Sequence, residues 1–201
     1  MNLRGAFDRH GCDRGTARHN YHRVYGRLLA PLRELPLHIL DVGVLRGAGI
    51  AAWLDYFPNA LIVGMDTFDR VPLDQVPVMG DPRVSACSGD SRTKFPHGLF
   101  DLIFDDGDHS PGAQLATFQN LWPHLAPGGI YFIEDVWALD QFTPKQLKHH
   151  WLKSHKQFNK NEYMKLLRAL KPYQTKHHDL RAGGAVDSYI IEVRKPEVEN
   201  E

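Results

Sequence analysis

Cysteine is scarce in this chain of 201 residues, where Cys12 and Cys87 are the only two. Such a pair builds no disulfide scaffold and supplies no metal-ligand spacing, and it suits a reducing compartment. No apolar run approaches the ~20 residues of a membrane span. The opening Met1-Asn2-Leu3-Arg4-Gly5 lacks the apolar stretch of a secretory signal. The expected compartment is therefore the cytoplasm. Repeats and low-complexity tracts are missing as well. Neither sign of charge is in excess, since 24 Lys and Arg balance 24 Asp and Glu. What is present, 42% hydrophobic and 10% aromatic residues, excludes intrinsic disorder and collagen-like structure. The length fits one domain with an appendage.

The balance of charge is not local. Residues 1–46 carry eight Arg against four acids, and residues 47–140 carry thirteen acids against four bases. Residues 141–178 carry nine Lys and Arg against Glu162 alone. An acidic centre lies between basic flanks. The last of these segments reads as a solvated helix face, or as an attraction for an anionic substrate, surface or partner. No nucleic-acid module accompanies it.

Short apolar runs, each ending in glycine or an acid, alternate with helical stretches. The predicted strands are 37–44, 60–66, 84–87, 100–106 and 130–135, and the last, 187–194, pairs as a hairpin with 173–180. Predicted helices cover 21–32, 48–56, 114–125 and 163–170. Another starts at Thr143-Pro144-Lys145-Gln146, where Thr143 caps and Gln146 completes a capping box. Alternation of this kind predicts an α/β fold, a doubly wound and mostly parallel sheet covered on both faces. Residues 1–36 form an entry segment, 37–195 the main domain, 141–172 a basic helical insertion serving as lid or interface, and 196–201 a frayed tail. A homo-oligomer is compatible with that interface.

Open α/β sheets bind ligands at the carboxyl ends of their strands. Asp66, Asp90, Asp105, Asp106, Glu134 and Asp135 all fall at such ends. Isolated buried charge is costly, so six acids at one edge point to ligand contacts, a cation, or both. The turn Asp41-x-Gly43-x-x-x-Gly47-x-Gly49 lets a ligand approach backbone. Asp66, 23 residues after Gly43, is placed to accept hydrogen bonds from both hydroxyls of a ribose. Together these features indicate an adenosine-containing ligand without choosing the cofactor.

The same residues resemble class I S-adenosylmethionine-dependent methyltransferases, whose seven-stranded, Rossmann-like sheet ends in an antiparallel strand. Asp41, Gly43 and Gly47 correspond to the methionine-side loop, and Asp66 to the ribose-binding acid. Gly89-Asp90-Ser91 resembles the adenine-contacting segment, Asp105 the fourth motif, and Pro127-Gly128-Gly129 the turn before the fifth strand. Phe7-Asp8-x-His10-Gly11-x-Asp13-Arg14-Gly15-Thr16-x-x-His19-x-Tyr21 resembles the N-terminal signature of the macrocin and mycinamicin sugar O-methyltransferases. So do Asp105-Asp106-Gly107-Asp108-His109 and Ile133-Glu134-Asp135. Cephalosporin hydroxylase-type proteins are similar too.

That resemblance implies S-adenosyl-L-methionine as cofactor, with Mg2+ held by Asp106, Glu134 and Asp135 and His109 as general base. The implied acceptor is a small molecule, a sugar or glycoside. Carboxylates are hard oxygen ligands suited to Mg2+, and a coordinated hydroxyl loses its proton more readily. Asp13, Thr16, His19 and Tyr21 fold over the cofactor or line the acceptor pocket, or else the segment is an entry helix, 21–32, capped near Thr16 and packed on the sheet. Asp108 stands where serine is commoner and would add negative charge beside His109, raising its pKa. His149-His150 and His177-His178 read as surface pairs. Trp137 is a candidate wall of the acceptor pocket, and Phe142, Trp151 and Phe158 the apolar side of the basic segment. Rival readings are a methyltransferase for a nucleic acid, amine or phenol, and a non-catalytic cofactor-binding or accessory protein.

Overall fold

The computed structural model of the chain describes residues 1–197, with the side chains of His150 and Trp151 excepted. The expectations for those two side chains, and for most of the tail 196–201, lie outside the described residues. Seven strands form one sheet: β1 (His38–Val42), β2 (Leu61–Asp66), β3 (Val84–Ser88), β4 (Phe100–Asp105), β5 (Leu125–Ile133), β6 (Gln174–Asp179) and β7 (Tyr189–Arg194). Their spatial order is β3-β2-β1-β4-β5-β7-β6. The first five are parallel, whereas β7 runs antiparallel to both β5 and β6. This is the doubly wound sheet that the strand pattern predicts. Strand order reverses between β2 and β4, on either side of β1, and that reversal opens a crevice at the carboxyl ends.

Both faces are covered. α1 (Leu3–Arg9), α2 (His22–Leu28) and α3 (Ala48–Tyr56) bury Phe7, Tyr25 and Trp53 with Ile39, Ile62 and Phe104 on one side. Trp53 is the hub there, stacked on Phe104 with ring centroids 4.3 Å apart and meeting Phe7 edge-on at 4.9 Å. On the other side, α4 (Pro111–Leu121) and α7 (Lys160–Leu170) pack Phe118, Leu121, Tyr163 and Leu166 against Leu40, Ile103 and Tyr131. The basic stretch 141–172 carries two short helices, α5 (Pro144–Leu147) and α6 (His150–Lys153), ahead of α7, and the Thr143–Gln146 capping box is formed. Among the described residues, no helix is long and apolar enough to cross a membrane.

Several expectations are corrected. α1 was not expected; Asn2 caps it by accepting from Gly5 N at 2.8 Å. The entry helix stops at Leu28 and gives way to a 3-10 turn over Ala30–Leu32. Nor is it capped by Thr16, whose N–H and hydroxyl both donate to Asp8 Oδ1. β5 starts five residues early because Leu125 pairs with Phe100, so Pro127-Gly128-Gly129 lies within a bulged strand. His178 is buried rather than superficial, 2.7 Å from Glu192 Oε2.

Candidate active site

The crevice is shaped first by backbone. After β1 the chain turns at Gly43 with φ +88°, where an added Cβ would overlap the carbonyl oxygen of Asp106. Only glycine lets the loops following β1 and β4 touch. Gly47 is also left-handed, φ +83°, which strains any other residue there, and a Cβ would in addition sit 2.5 Å from a Val78 methyl. At Gly49 a Cβ would overlap the guanidinium of Arg14. The third glycine therefore makes room for an arginine.

Arg14 is 2% exposed and lies among three acids. Its Nε donates to Glu134 Oε1 and Oε2 at 3.0 and 2.8 Å, and its Nη2 to Asp41 Oδ1 at 3.0 Å. The same Nη2 is 3.2 Å from Asp106 Oδ2. Tyr25 donates to Glu134 Oε1 at 2.6 Å. Trp53 and Phe104 flank the guanidinium at 5.7 and 5.9 Å from their centroids. Buried charge is tolerated when paired and hydrogen-bonded, and these contacts supply both conditions.

Beside this network lies a cavity of about 1170 Å3, whose wall includes Asp13, Arg14, Gly43, Asp66, Asp90, Ser91, Asp106, His109, Asp135, Trp137, Lys156 and Asp187. At one end, ligand atoms of Asp106, His109 and Asp135 lie within 4.8 Å of one another. Asp135 Oδ2 is 3.9 Å from His109 Nε2 and 3.5 Å from His19 Nε2. His109 Nδ1, His19 Nε2 and Asp187 Oδ1 are buried without a hydrogen-bond partner. Burial pushes the carboxyls of Asp106 and Asp135 well above the ordinary range, with Arg14 opposing at Asp106 and Tyr21 at Asp135. Burial also lowers the His109 imidazole, against a smaller pull upward from Asp187, and it takes His19 down to about 4.

At the other end, Asp66 Oδ2 accepts from Leu45 N at 3.0 Å and Oδ1 from Phe68 N at 3.1 Å. Both donors sit at left-handed residues, φ +48° and +59°, so the loops are bent to hold this carboxylate. Asp90 is paired with Arg92, Nη2–Oδ2 2.5 Å. The Ser91 hydroxyl is 2.9 Å from that of Thr117. Asp108 at the rim takes a 2.8 Å hydrogen bond from Lys156. Burial alone would raise its pKa, but Lys156 and the Ser110 N–H hold it at about 2. Its charge is thus answered by Lys156; Asp108 does pull the His109 imidazole upward, as expected, but burial outweighs it and the net shift is downward.

Of the residues expected at the cofactor, Gly43, Asp66, Asp90 and Ser91 stand on the cavity wall. Asp41 is spent on Arg14. Asp105 is enclosed, accepts from Tyr131 at 3.1 Å, and is pushed up to about 7 by burial. Thr16 is exposed on Asp8, and Tyr21 is buried behind the wall, donating to Asp135 Oδ1 at 2.7 Å. Among the expected metal ligands, Asp106 and Asp135 meet, but Glu134 does not join them. Its carboxylate is fully enclosed by Arg14 and Tyr25, and His109 takes the third place in the cluster. The contributions of Arg14, Tyr25 and Asp187 were missed, whereas His19, a candidate from the sequence, stands beside Asp135. For Arg14 a signal existed: an arginine among glycines in the signature segment needs acids if buried.

Residues 40–136 match the family model described as a methyltransferase domain. The chain carries a methyltransferase domain. Over 144 residues, 65% of this chain, it is 32% identical to the 8-demethyl-8-(2-methoxy-alpha-L-rhamnosyl)-tetracenomycin-C 3'-O-methyltransferase of Streptomyces olivaceus, and the match covers 35% of that protein. Over 128 residues, 57% of this chain, it is 30% identical to the mycinamicin VI 2''-O-methyltransferase of Micromonospora griseorubida, covering 31% of it. The matched part thus spans about a third of these curated relatives. In structure, the whole chain superposes on 56% of MycE, a methyltransferase of the mycinamycin biosynthetic pathway solved with Mg, SAH and mycinamycin VI. The TM-score is 0.73 at 22% identity, a likeness of fold. The methyltransferase domain contains Gly43, Asp66, Asp106, His109 and Asp135. Arg14, His19, Tyr21 and Asp187 reach its cavity end from outside the matched range.

Proposed function

We propose that the chain is an S-adenosylmethionine-dependent O-methyltransferase acting on a hydroxyl of a sugar or glycosylated natural product. In this reading Asp106 and Asp135 hold a divalent cation, Mg2+, and His109 is the general base. The observation that carries it is the union, in one cavity, of the glycine-lined Asp66 end with the Asp106–His109–Asp135 end. The curated relatives named above are sugar O-methyltransferases by description, which supports the choice of acceptor class.

The residues fit both groups. Gly43 lines the crevice, and the Asp66 carboxylate, fixed by two N–H donors, is placed to accept from ribose hydroxyls. Two carboxyls raised by burial, with the unpartnered Asp187 Oδ1 beside Asp135, form an oxygen set that a divalent cation would satisfy. When bound, such a cation would polarise the acceptor hydroxyl and lower its pKa.

Mg2+ prefers oxygen to imidazole, which leaves His109 free for the proton. Burial keeps that imidazole neutral near pH 7, the form a base requires. The acceptor oxygen would bond to the methyl carbon as the carbon–sulfur bond breaks, with S-adenosylhomocysteine leaving and the hydroxyl proton passing to His109. In-line approach and exclusion of water matter more here than covalent assistance. Trp137 and His155 line the cavity, their rings 5.4 Å apart, and the Lys156–Asp108 pair draws the basic insertion to its rim. The test is calorimetric titration with S-adenosylhomocysteine, followed by methyl-transfer assays on rhamnosylated acceptors with and without Mg2+. One-site micromolar binding and Mg2+-dependent transfer are expected. Absence of binding by folded protein would remove the reading.

A further inference from the structure

One phenolic oxygen grips both ends of Asp135. Tyr21 OH donates to Asp135 Oδ1 at 2.7 Å and accepts the Asp135 backbone N–H at 3.2 Å, with the Asp187 carbonyl 3.1 Å away. Asp135 has φ +54°, a left-handed conformation uncommon outside glycine, though Asp tolerates it better than most. The Tyr21 ring is fully buried, stacked on His19 at 4.9 Å and edge-on to Tyr25 at 6.1 Å. It therefore has little freedom to follow Asp135 elsewhere. With Oδ1 committed to the phenol, Oδ2 is the oxygen near the imidazoles, 3.5 Å from His19 Nε2 and 3.9 Å from His109 Nε2. Tyr21 stands at the N-cap of α2 yet makes no side-chain capping bond, so helix initiation does not account for its hydroxyl.

We propose that Tyr21 is the positioning residue of the cation site: its hydroxyl fixes the side chain and backbone of Asp135 together and presents Oδ2 to the cavity. The proposal rests on Asp106 and Asp135 being cation ligands. It gives the N-terminal segment a role distinct from folding over the cofactor. Hydrogen-bond partners of ligating carboxylates commonly govern metal affinity by about 10–100-fold.

The experiment measures Mn2+ affinity by electron paramagnetic resonance, S-adenosylhomocysteine affinity by calorimetry, and melting temperature. The proteins are wild type, Tyr21→Phe and Tyr163→Phe. Tyr163 is also fully buried and donates to Asp140 at 2.7 Å, from α7, so it controls for the loss of a buried phenol. Tyr21→Phe should bind Mn2+ about 10–100-fold more weakly with unchanged S-adenosylhomocysteine affinity, and Tyr163→Phe should lose stability but not Mn2+ affinity. Equal Mn2+ affinity in Tyr21→Phe, or equal losses in both variants, would overturn the role of Tyr21. No Mn2+ binding by wild type would overturn the cation reading itself, before any substitution. Should Tyr21→Phe not fold, 3-fluorotyrosine-labelled protein gives a second test. Mg2+ should shift the fluorine resonance of Tyr21 and spare that of Tyr163, and an unmoved Tyr21 signal counts against the proposal.

Discussion

Replacing Arg14 by Met would leave the buried carboxylates of Asp41 and Glu134 with no cation. Arg14 contacts Glu134 at 2.8 Å and Asp41 at 3.0 Å, and all three side chains are at most 2% exposed. Removing one member of a buried ion pair costs about 3–5 kcal/mol. With two carboxylates stranded and only the Tyr25 hydrogen bond left on Glu134, the upper half of that range is expected. For a chain of this size each kcal/mol moves the melting temperature by roughly 2–4 °C, so the fall is about 8–20 °C. The sign with pH follows from the carboxyls: burial already raises both, with Arg14 opposing. Groups whose folded pKa is raised bring stability at low pH that is lost as pH rises toward the folded value. Without Arg14 both rise further, so the deficit should be larger at pH 8 than at pH 5. Urea unfolding followed by circular dichroism measures it. The triple variant Arg14→Met, Asp41→Asn, Glu134→Gln should recover most of the loss, since of the three acids on Arg14 only Asp106, at the cavity wall, keeps its charge. A single variant within about 1 kcal/mol of wild type at pH 8, well below the cost of a broken buried pair, would refute the idea that Arg14 stabilises ionised partners.

Other outcomes follow from the cavity. Asp66→Ala should weaken S-adenosylhomocysteine binding about 10–100-fold, the worth of hydrogen bonds to a charged group, as read by calorimetry. His109→Ala should lower kcat about 10²–10⁴-fold while leaving that affinity intact. Because burial lowers the His109 pKa and a base acts in its neutral form, the acid limb of the wild-type kcat/KM profile should lie below pH 6.5. Thiol titration at pH 8 should find half-buried Cys87 reactive, and Cys12, buried and pushed up to about 12 by that burial, reactive only after unfolding.

What was legible in the sequence was local. Apolar runs such as Ala60–Met65, closed by an acid, declare strands and their carboxyl ends because burial on both faces demands continuous hydrophobicity. α1 escaped notice because Leu3, Ala6 and Phe7 are its only buried residues and Gly5 interrupts it; its support is tertiary, Phe7 on Trp53. Period two along a strand sends consecutive side chains to opposite sides. That alternation ends with β5 at Ile133 and β4 at Asp105, and Asp135 turns left-handed just beyond, so it does not say which of the paired acids faces the cavity. Choosing between them required Arg14, which meets Glu134 across 120 positions and Asp41 across 27. Once that cation is placed, the division of the acids follows from charge and enclosure. Glu134 and Asp41 answer Arg14 in the interior, Asp105 is enclosed beneath Tyr131, and Asp106 and Asp135 remain at the wall with His109. Local motifs name the acids at this sheet edge, but a buried arginine from the N-terminal segment decides which of them are left for a ligand.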